Sequence, residues 1–446
     1  MSAIAGVLIA MGHEVSGSDQ QESSALDHIR ALGSTIFVGH SASNLADVDV
    51  LTRSTAISDN NPEIREAFRK GIQVVSRAEM LASIGALREV IAVAGTHGKT
   101  STSAMLAMIM LEAGLEPSFV VGGVIGGQGN GYRLGSGDWM VVEADESDGT
   151  FLELAPRLGL ITNIEADHID HYGSLDGMIS AYRQFSETVG DVLLTNRDDL
   201  ACNELRNNYT GGARMITFGT NYESDFRIYD VTSSKMSLTF KLTGPSGELG
   251  EFQMATPGKH MAMNAGAAIA IALEAGADLE SSRKALLAFR GVGRRFQIEG
   301  EFQGVTFVDD YAHLPTEIEA VVGAASGGGW NRIICVFQPH RFTRLSAIWK
   351  TYGASFRLAN EVVVTELYSA GEDPIEGISS QLIVDAIKST DPSRKVSRLE
   401  DRGDLFAYLR NELRSGDLCL VLSAGDLVNI GRKVFADYPE KAQGLA

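Results

Sequence analysis

A glycine-rich turn carrying a lysine and a threonine is the first feature of this chain that could do chemistry. The turn and the residue after it are Gly95, Thr96, His97, Gly98, Lys99, Thr100 and Ser101. Glycines let a backbone approach an anion, and the N–H groups that open a helix favour negative charge. The lysine would reach the β- and γ-phosphates of a nucleotide, and the threonine hydroxyl would bind Mg²⁺. The pattern predicts a phosphate-binding loop.

The sequence on either side predicts the elements that such a loop needs. Residues 90–94 form an apolar, β-branched run typical of a buried parallel strand, and residues 101–113 predict a helix. The common loop is G-x4-G-K-[ST], whereas this one is G-x2-G-K-T because position 93 is valine. The shorter spacing and the lack of an Asn-Lys-x-Asp motif disfavour a generic kinase or GTPase.

An acidic cluster follows the predicted strand 138–143. Its members are Glu143, Asp145, Glu146 and Asp148. Ligands of α/β sheets bind where the strands end. Four neighbouring carboxylates repel one another unless a cation or a lysine lies near, and Mg²⁺ prefers such oxygens together with water and phosphate. We predict that this cluster holds Mg²⁺; the alternative is a solvated acidic loop.

His168 lies in a second polar cluster, after the predicted strand 158–164. Acidic residues surround it and His171, so it is either a metal ligand, or a partner of one, or a structural histidine. Zinc is not expected, because no cysteine is near and phosphate chemistry favours Mg²⁺.

Cationic and polar residues mark the last third of the chain. Arg341 and Arg344 lie three apart at a predicted helix start and so share a face, and Arg294 and Arg295 form a second pair. Arginine suits bidentate binding of phosphate or carboxylate; the alternative is surface salt bridging. The polar stretch 309–317 follows a predicted strand and is either a site at its end or an ordinary capped loop.

Length and composition bound the class of protein. A chain of 446 residues is expected to form two or three domains. Lys and Arg number 38 and Asp and Glu 57, so the net charge of −19 should repel nucleic acid and anionic membranes. No membrane span and no signal peptide are predicted. The three distant cysteines are expected to be buried thiols of a cytoplasmic protein.

Helix and strand patterns alternate along the chain, which predicts an α/β protein with parallel sheets. We expect three segments, residues 1–84, 85–290 and 291–446, with a hinge near 291–293. The first segment opens with a predicted helix at 2–11, although dinucleotide-type folds begin with a strand and a glycine turn.

Five stretches together resemble the Mur ligase family of peptidoglycan synthesis. In chain order they are residues 95–100, 143–148, 162–168, 309–313 and 337–341. The resemblance covers nearly the whole chain and is specific, because the five motifs occur in the family's order. It implies three domains: a Rossmann-like N-terminal domain that lacks its first strand, a central P-loop ATPase α/β domain and a C-terminal Rossmann-like α/β domain.

The resemblance also implies a reaction. The carboxylate of UDP-N-acetylmuramate would take the γ-phosphoryl group of ATP, and the amine of L-alanine would then displace phosphate from the acyl phosphate to form an amide. The implied cofactors are ATP and Mg²⁺. The implied protein is a cytoplasmic monomer or homodimer that binds no nucleic acid and does not insert into a membrane.

Residue roles carry over from the family's motifs. Thr100 and Glu143 match its first metal position, and His168 matches its second. His260 and Asn264 match its adenine contacts. The remaining matches are contacts to the phosphates or to the amino acid around the acyl intermediate: Arg295 (or Arg294), Tyr311, His313, Arg341 and Arg344.

Two departures from the family pattern leave alternatives open. Family chains begin with a strand and a G-x-G-G-x-G turn for the UDP diphosphate, and Met1 falls at the end of that turn. We therefore expect a misassigned start or a truncated chain, and an inactive nucleotide-binding form is one alternative. Leu314 stands where the family usually has histidine. The other alternative is a recycling ligase that attaches a tripeptide to the same UDP-sugar, which Tyr311 and Glu317 weakly disfavour.

Overall fold

A computed structural model describes residues 1–147, 149–234 and 237–435 of the chain. The chain forms two compact units. The first comprises Met1–Tyr229, Leu242–Gly250 and Met263–Leu287, and the second comprises Asp230–Lys241, Glu251–Ala262 and Ala288–Ala446. The three domain boundaries expected from the sequence stay a prediction.

The N-terminal part of the first unit alternates helices with short strands. Its elements are α1 (Ser2–Ala10), β1 (Ser16–Asp19), α2 (Ser24–Ala31), β2 (Thr35–Val38), β3 (Val50–Arg53), α3 (Pro62–Lys70), β4 (Gln73–Ser76) and α4 (Arg77–Gly85). Strand β1 pairs with β2 and β3 with β4, both in parallel. Helix α3 begins at Pro62 and is capped by Gly71 at a φ of 71°, as their spacing predicts.

The rest of the first unit is built on a larger sheet. Its elements are β5 (Glu89–Ala94), α5 (Lys99–Glu112), β6 (Ser118–Val120), β7 (Tyr132–Arg133), β8 (Trp139–Glu143), β9 (Leu158–Ile161), α6 (Ile169–Tyr172), α7 (Leu175–Thr188), β10 (Val192–Asn196), α8 (Leu200–Asn207) and β11 (Arg214–Gly219). The strand order is β11-β10-β9-β5-β8-β6-β7. Strand β5 lies at its centre, and five of its six residues are buried. Parallel pairing of β5 with β8 and β9 brings their carboxyl ends to one edge.

The boundary between the two units crosses the segment that follows. Its elements are β12 (Phe226–Ser234), β13 (Ser237–Gly244), β14 (Gly247–Met254), α9 (Lys259–Glu274) and α10 (Leu279–Ala288). The alternating pattern of residues 226–242 predicts strands, and the structure places β12 and most of β13 there.

The second unit contains a six-stranded sheet. Its elements are β15 (Gln297–Phe302), β16 (Val305–Asp310), α11 (Pro315–Ser326), β17 (Ile333–Gln338), α12 (Phe342–Ile348), β18 (Glu361–Val364), α13 (Gln381–Thr390), β19 (Lys395–Arg398), α14 (Arg402–Glu412), β20 (Leu418–Ser423) and α15 (Ile430–Val434). The strand order is β15-β16-β20-β17-β18-β19, and only the β15–β16 pair is antiparallel. The carboxyl ends of β16, β20 and β17 therefore lie side by side.

One predicted helix is wrong in extent. The sequence predicts a helix over residues 343–358, but α12 ends at Ile348 and a 3₁₀ helix, Trp349–Ala354, follows it. The tighter winding lets the backbone at Gly353 approach helix α13, where an added Cβ would lie 2.6 Å from the carbonyl oxygen of Ala386.

All three cysteines are buried and free, as predicted. Within the described ranges, none of the helices combines the length and the apolar character that crossing a bilayer requires.

Candidate functional site

The predicted phosphate loop connects β5 to α5 and needs glycine at two points. Gly95 has a φ of 130°, and a Cβ added there would lie 1.9 Å from Thr162 Oγ1. Gly98 has a φ of 81°, and a Cβ added there would lie 2.5 Å from Asn264 Oδ1. A side chain at either point would be strained and would collide with its neighbour. The loop is therefore folded tightly against β9 and α9.

The segment after β9 braces this loop. Asn163 bonds His97 twice: its Oδ1 accepts from the backbone N–H at 2.9 Å, and its Nδ2 donates to the backbone carbonyl at 3.0 Å. Thr162 Oγ1 donates to the same carbonyl at 2.6 Å. Thr96 Oγ1 accepts from the N–H of Glu165 at 2.9 Å. The sequence analysis included Asn163 in the family-like stretch 162–168 but gave it no role, although an Asn just beyond the end of a buried strand is a signal for such a role.

Lys99 folds back over the loop that it follows. Its Nζ donates to the carbonyl of Gly95 at 2.6 Å and to that of Thr96 at 3.3 Å. It also lies 2.8 Å from Oε1 and 2.7 Å from Oε2 of Glu146, whose side chain is 2% exposed. Burial raises the pKa of Glu146 to about 7, against the opposing charge of Lys99. The predicted need for a lysine beside the acidic cluster is met by this pair.

Thr100 and Glu143 are in contact, as a shared metal position requires. Thr100 Oγ1 donates to Glu143 Oε1 at 2.7 Å, and the N–H of Gly122 donates to Oε2 at 2.5 Å. Among the described residues, no group of three or more His, Cys, Asp or Glu side chains could hold a metal alone. Mg²⁺ commonly takes one or two protein ligands and fills the rest with water and phosphate. The pair fits an ion that arrives with a nucleotide. Asp148 lies outside the described residues.

His168 lies beside Asp167 after β9. The ring Nε2 of His168 is 3.4 Å from Asp167 Oδ2, and the backbone N–H of His168 donates to Asp167 Oδ1 at 2.8 Å. The backbone of His168 has a φ of 50°, which is uncommon for a residue with a side chain. A carboxylate partner of this kind orients an imidazole, so the geometry suits a ligand whose ring is held in place.

The two predicted adenine contacts lie in different units. Asn264 is in the first unit, against Gly98 of the loop. His260 is in the second unit, where burial and the positive charge of Arg295 lower its pKa to about 4. His260 is therefore a neutral imidazole at physiological pH, which suits hydrogen bonding to an uncharged base.

In the second unit, Arg294 and Arg295 both face Tyr311. Their guanidinium carbons lie 5.1 and 5.2 Å from the centre of the Tyr311 ring. Arg294 Nη2 also donates to the carbonyl of Ser423 at 2.5 Å, and its Nε lies 3.4 Å from Asp309 Oδ2. Two guanidiniums from the segment before β15 therefore face the stretch that follows β16, and whether that stretch is a site or an ordinary capped loop stays a prediction.

The neighbouring carboxylates Asp309 and Asp310 are nearly buried. Burial raises the pKa of each to about 6, although Arg294 and Arg295 respectively oppose that shift. Asp310 accepts the N–H of Phe296 and the N–H of Ala312, both at 2.7 Å. It therefore fixes the backbone directly after Arg295 and directly after Tyr311.

Two histidines meet where β16 and β17 end. The rings of His313 and His340 are 5.7 Å apart, and Arg344 Nη1 lies 3.1 Å from His340 Nδ1. Burial, together with the charges of His313 and Arg344, lowers the pKa of His340 to about 3. A neutral His340 can accept the hydrogen bond from Arg344 and hold that guanidinium in place.

Leu314 is the residue before α11, and it is 5% exposed. Glu317 Oε2 accepts the N–H of His313 at 3.0 Å and that of Leu314 at 3.1 Å, so the predicted helix start is confirmed. Both hydrogen bonds use backbone N–H groups and do not involve the side chain of residue 314.

Comparison with known proteins covers most of the chain. Profiles described as "Mur ligase family, catalytic domain", "Mur ligase middle domain" and "Mur ligase, glutamate ligase domain" match residues 1–89, 93–272 and 294–425. The UDP-N-acetylmuramate--L-alanine ligase of Syntrophus aciditrophicus is 39% identical over 434 residues, which are 97% of this chain and 90% of that protein. The enzyme of the same name from Myxococcus xanthus is 40% identical over 97% of this chain and 91% of its own length. The chain belongs to the Mur ligase family.

Solved structures of Mur ligases agree with this assignment. A UDP-N-acetylmuramate-alanine ligase from Thermotoga maritima superposes with a TM-score of 0.83 at 30% identity, covering 98% of this chain and 96% of that one. A murein peptide ligase from Psychrobacter arcticus gives a TM-score of 0.72 at 22% identity over 98% and 96% of the two chains, which shows a common fold. The family and the three-domain α/β fold class predicted from the sequence are confirmed.

The site residues that the sequence predicts fall into two groups in the structure, one in each unit. In the first unit Lys99, Thr100, Glu143 and Asn264 surround the loop, with Ser101 buried behind it. In the second unit His313 lies near both Tyr311 and His340, and Arg344 contacts His340. Arg341 lies in the same β17–α12 connection, and its Nε donates to Glu372, a residue that the sequence analysis missed.

Proposed function

We propose that this Mur ligase joins L-alanine to the carboxylate of UDP-N-acetylmuramate and converts ATP to ADP and phosphate. The observation that carries the proposal is identity of 39–41% over at least 96% of the chain with proteins that are named for this activity. The loop geometry around Lys99 is the structural counterpart, because it offers a lysine and helix-opening N–H groups to a phosphate chain.

In the first step a carboxylate oxygen of the sugar attacks the γ-phosphorus of ATP, and ADP leaves. Phosphoryl transfer depends on positioning and on stabilising the charge of the transferring group. Lys99 supplies a positive charge beside the loop, and the loop backbone supplies N–H groups. Thr100 and Glu143 would hold one Mg²⁺ and His168 a second; Mg²⁺ neutralises charge on the phosphates when bound.

In the second step the amine of L-alanine attacks the acyl carbon, phosphate leaves with the electrons of the broken C–O bond, and the nitrogen of the new amide loses a proton. We assign recognition of the amino acid and of the phosphate to Tyr311, His313, Arg341 and Arg344. Arginine offers paired N–H donors that match a carboxylate or a phosphate. Arg295 would contact the phosphates, and His260 and Asn264 the adenine.

A substrate-dependence assay tests the function. Phosphate release from ATP is measured with UDP-N-acetylmuramate alone, and then with L-alanine, glycine, L-serine or the tripeptide L-alanyl-γ-D-glutamyl-meso-diaminopimelate. We expect release that requires both the sugar nucleotide and L-alanine. Release that requires the tripeptide would replace the proposal with the recycling reaction, and no release with any acceptor would leave a nucleotide-binding protein without this activity.

The same proposal includes a cytoplasmic protein that is a monomer or a homodimer. Light scattering on the purified chain distinguishes these two states.

A further inference from the structure

The connection that carries Arg341 is held by a segment outside the motifs of the sequence analysis, residues 366–372. The N–H of Arg341 donates to the carbonyl of Tyr368 at 2.9 Å, and the N–H of Tyr368 donates to the carbonyl of Pro339 at 2.8 Å. The ring of Tyr368 stacks on that of His340, with centroids 5.6 Å apart and planes 12° apart. The segment therefore runs alongside the connection and fixes its backbone.

Glu372, in the same segment, also holds side chains of the β17–α12 connection. Its Oε1 accepts from Arg341 Nε at 2.6 Å and from Thr343 Oγ1 at 2.6 Å, and its Oε2 accepts from the N–H of Thr343 at 3.0 Å. Burial raises the pKa of Glu372, but hydrogen bonds from Thr343 and Arg341 outweigh it and leave the pKa below its ordinary value. Glu372 is therefore ionised at neutral pH, and its side chain is only 16% exposed.

The backbone of Arg341 requires such support. Its φ is 68° and its ψ is 132°, a combination that residues with a side chain rarely adopt. Strained backbone conformations cost about 1–3 kcal/mol each and persist where the surrounding structure fixes them. Here the fixing contacts come from Tyr368 on the backbone and from Glu372 on the side chain. These contacts set the direction in which the Arg341 side chain points.

Orientation matters for this side chain. A guanidinium is a planar fork, so it binds a carboxylate or a phosphate well only when its plane matches that of the ligand. A hydrogen bond that Nε–H donates to a fixed carboxylate restrains that plane. An unsupported arginine would sample several rotamers and would lose entropy when substrate bound.

We propose that Glu372 is a positioning residue of the ligase reaction, which holds Arg341 in the orientation that binds the amino acid or the acyl phosphate. This inference rests on the proposed function, because it assigns Glu372 a role through a residue of that reaction. In this role Glu372 acts through Arg341 and not on the substrate itself.

A double-mutant cycle tests the inference. Glu372→Gln keeps the size of the side chain and removes its charge, and Arg341→Ala removes the group through which it acts. Steady-state phosphate release is measured for the wild type, both single variants and the double variant, with L-alanine and ATP varied separately. Glu376→Gln, an exposed carboxylate four residues along the same loop, is the matched control.

We expect Glu372→Gln to lower kcat/KM for L-alanine by about 10- to 100-fold, since misplacing a positioning group by about 1 Å can cost about 100-fold. KM for ATP and the melting temperature should stay near the wild-type values, and Glu376→Gln should behave as the wild type. In the Arg341→Ala background, Glu372→Gln should have no further effect, because residues that act as a unit are not additive.

Three outcomes would overturn the inference. An unchanged kcat/KM in Glu372→Gln would show that the contact is dispensable. An equal loss in the wild-type and Arg341→Ala backgrounds would show that Glu372 acts independently of Arg341. A wild-type chain that releases no phosphate would remove the proposed function and this role with it, and that result is distinct from the other two.

Discussion

The ammonium of Lys99 lies within 2.8 Å of both carboxylate oxygens of Glu146, and both side chains are largely buried. Lys99 also closes back on the carbonyls of Gly95 and Thr96. The lysine proposed to contact the phosphates is therefore held over its own loop by an acidic residue three positions beyond Glu143. A bound phosphate chain would compete with Glu146 for this charge, and Glu146, with a pKa raised to about 7 by burial, gives up its own charge more easily than an ordinary glutamate.

The first prediction concerns this pair. Lys99→Met should lower ATP turnover by more than about 100-fold, since removing one stabilising group from a developing charge costs about that much. It should also destabilise the protein, because removing one partner of a buried ion pair costs about 3–5 kcal/mol. Phosphate release and the melting temperature measure the two effects.

The control for that experiment is the double variant Lys99→Met with Glu146→Gln. A neutral glutamine no longer needs the lysine, so we expect the melting temperature to recover while turnover stays low. Recovery of turnover as well would contradict the role of Lys99 in phosphate contact.

The second prediction concerns the metal position. Glu143→Gln should raise the Mg²⁺ concentration needed for half-maximal phosphate release, because the amide lacks the charge that attracts the ion. Titration of MgCl₂ at fixed ATP measures this, and Glu112→Gln at the exposed end of α5 is the matched control. A Mg²⁺ titration that is the same for Glu143→Gln and the wild type would move the ligand to another residue of the acidic cluster, with Glu146 the first to test.

Local patterns were enough to predict the phosphate loop and its neighbours. A glycine turn between a β-branched run and an alanine-rich run fixes strand, loop and helix within about 20 residues. That an acidic cluster lies at the carboxyl end of a strand, near the loop, also follows from the sequence pattern, whereas the pairing of Thr100 with Glu143 came from the resemblance to the family. Strand β1 could not be predicted in the same way, since Ser-Gly-Ser-Asp carries no apolar alternation.

The residues that sequence reasoning missed act across long chain separations. Asn163 braces His97 from 66 residues away, and Glu372 holds Arg341 from 31 residues away. Such contacts depend on strand order and on the path of loops, which local periodicity does not encode. The backbone conformation of Arg341, with a φ of 68°, could not be predicted either. Positive φ values are usually adopted by glycine, and an arginine in the sequence gives no sign of one.

The third prediction is a pH dependence in the second unit. Burial raises the pKa of Asp309 to about 6 from an ordinary value near 3.8, and Asp309 Oδ1 has no hydrogen-bond partner among the described residues. A raised pKa in the folded state contributes stability at low pH that is lost as the pH rises from about 4 through about 6. Asp309→Asn should therefore gain stability relative to the wild type when the pH is raised from 5 to 8.

Melting temperatures of both proteins at pH 5 and pH 8 measure this difference. Asp373→Asn, on an exposed loop of the same unit, is the control and should follow the wild type at both pH values. A difference between Asp309→Asn and the wild type that is the same at pH 5 and pH 8 would show that Asp309 does not titrate in this range.

The fourth prediction separates two reasons why position 98 is glycine: its positive φ and the close approach of Asn264. Its φ of 81° strains any other residue by about 1–2 kcal/mol, and a Cβ there would in addition lie 2.5 Å from Asn264 Oδ1. Gly114 has a comparable φ of 71° but nothing within 4 Å of an added Cβ. Gly114→Ala should therefore lose only the stability that the backbone strain costs, about 1–2 kcal/mol, and keep its KM for ATP. Gly98→Ala should raise KM for ATP strongly, because the loop and Asn264 must move apart. Equal KM values for the two variants would show that close packing of the loop on Asn264 is not needed to bind the nucleotide.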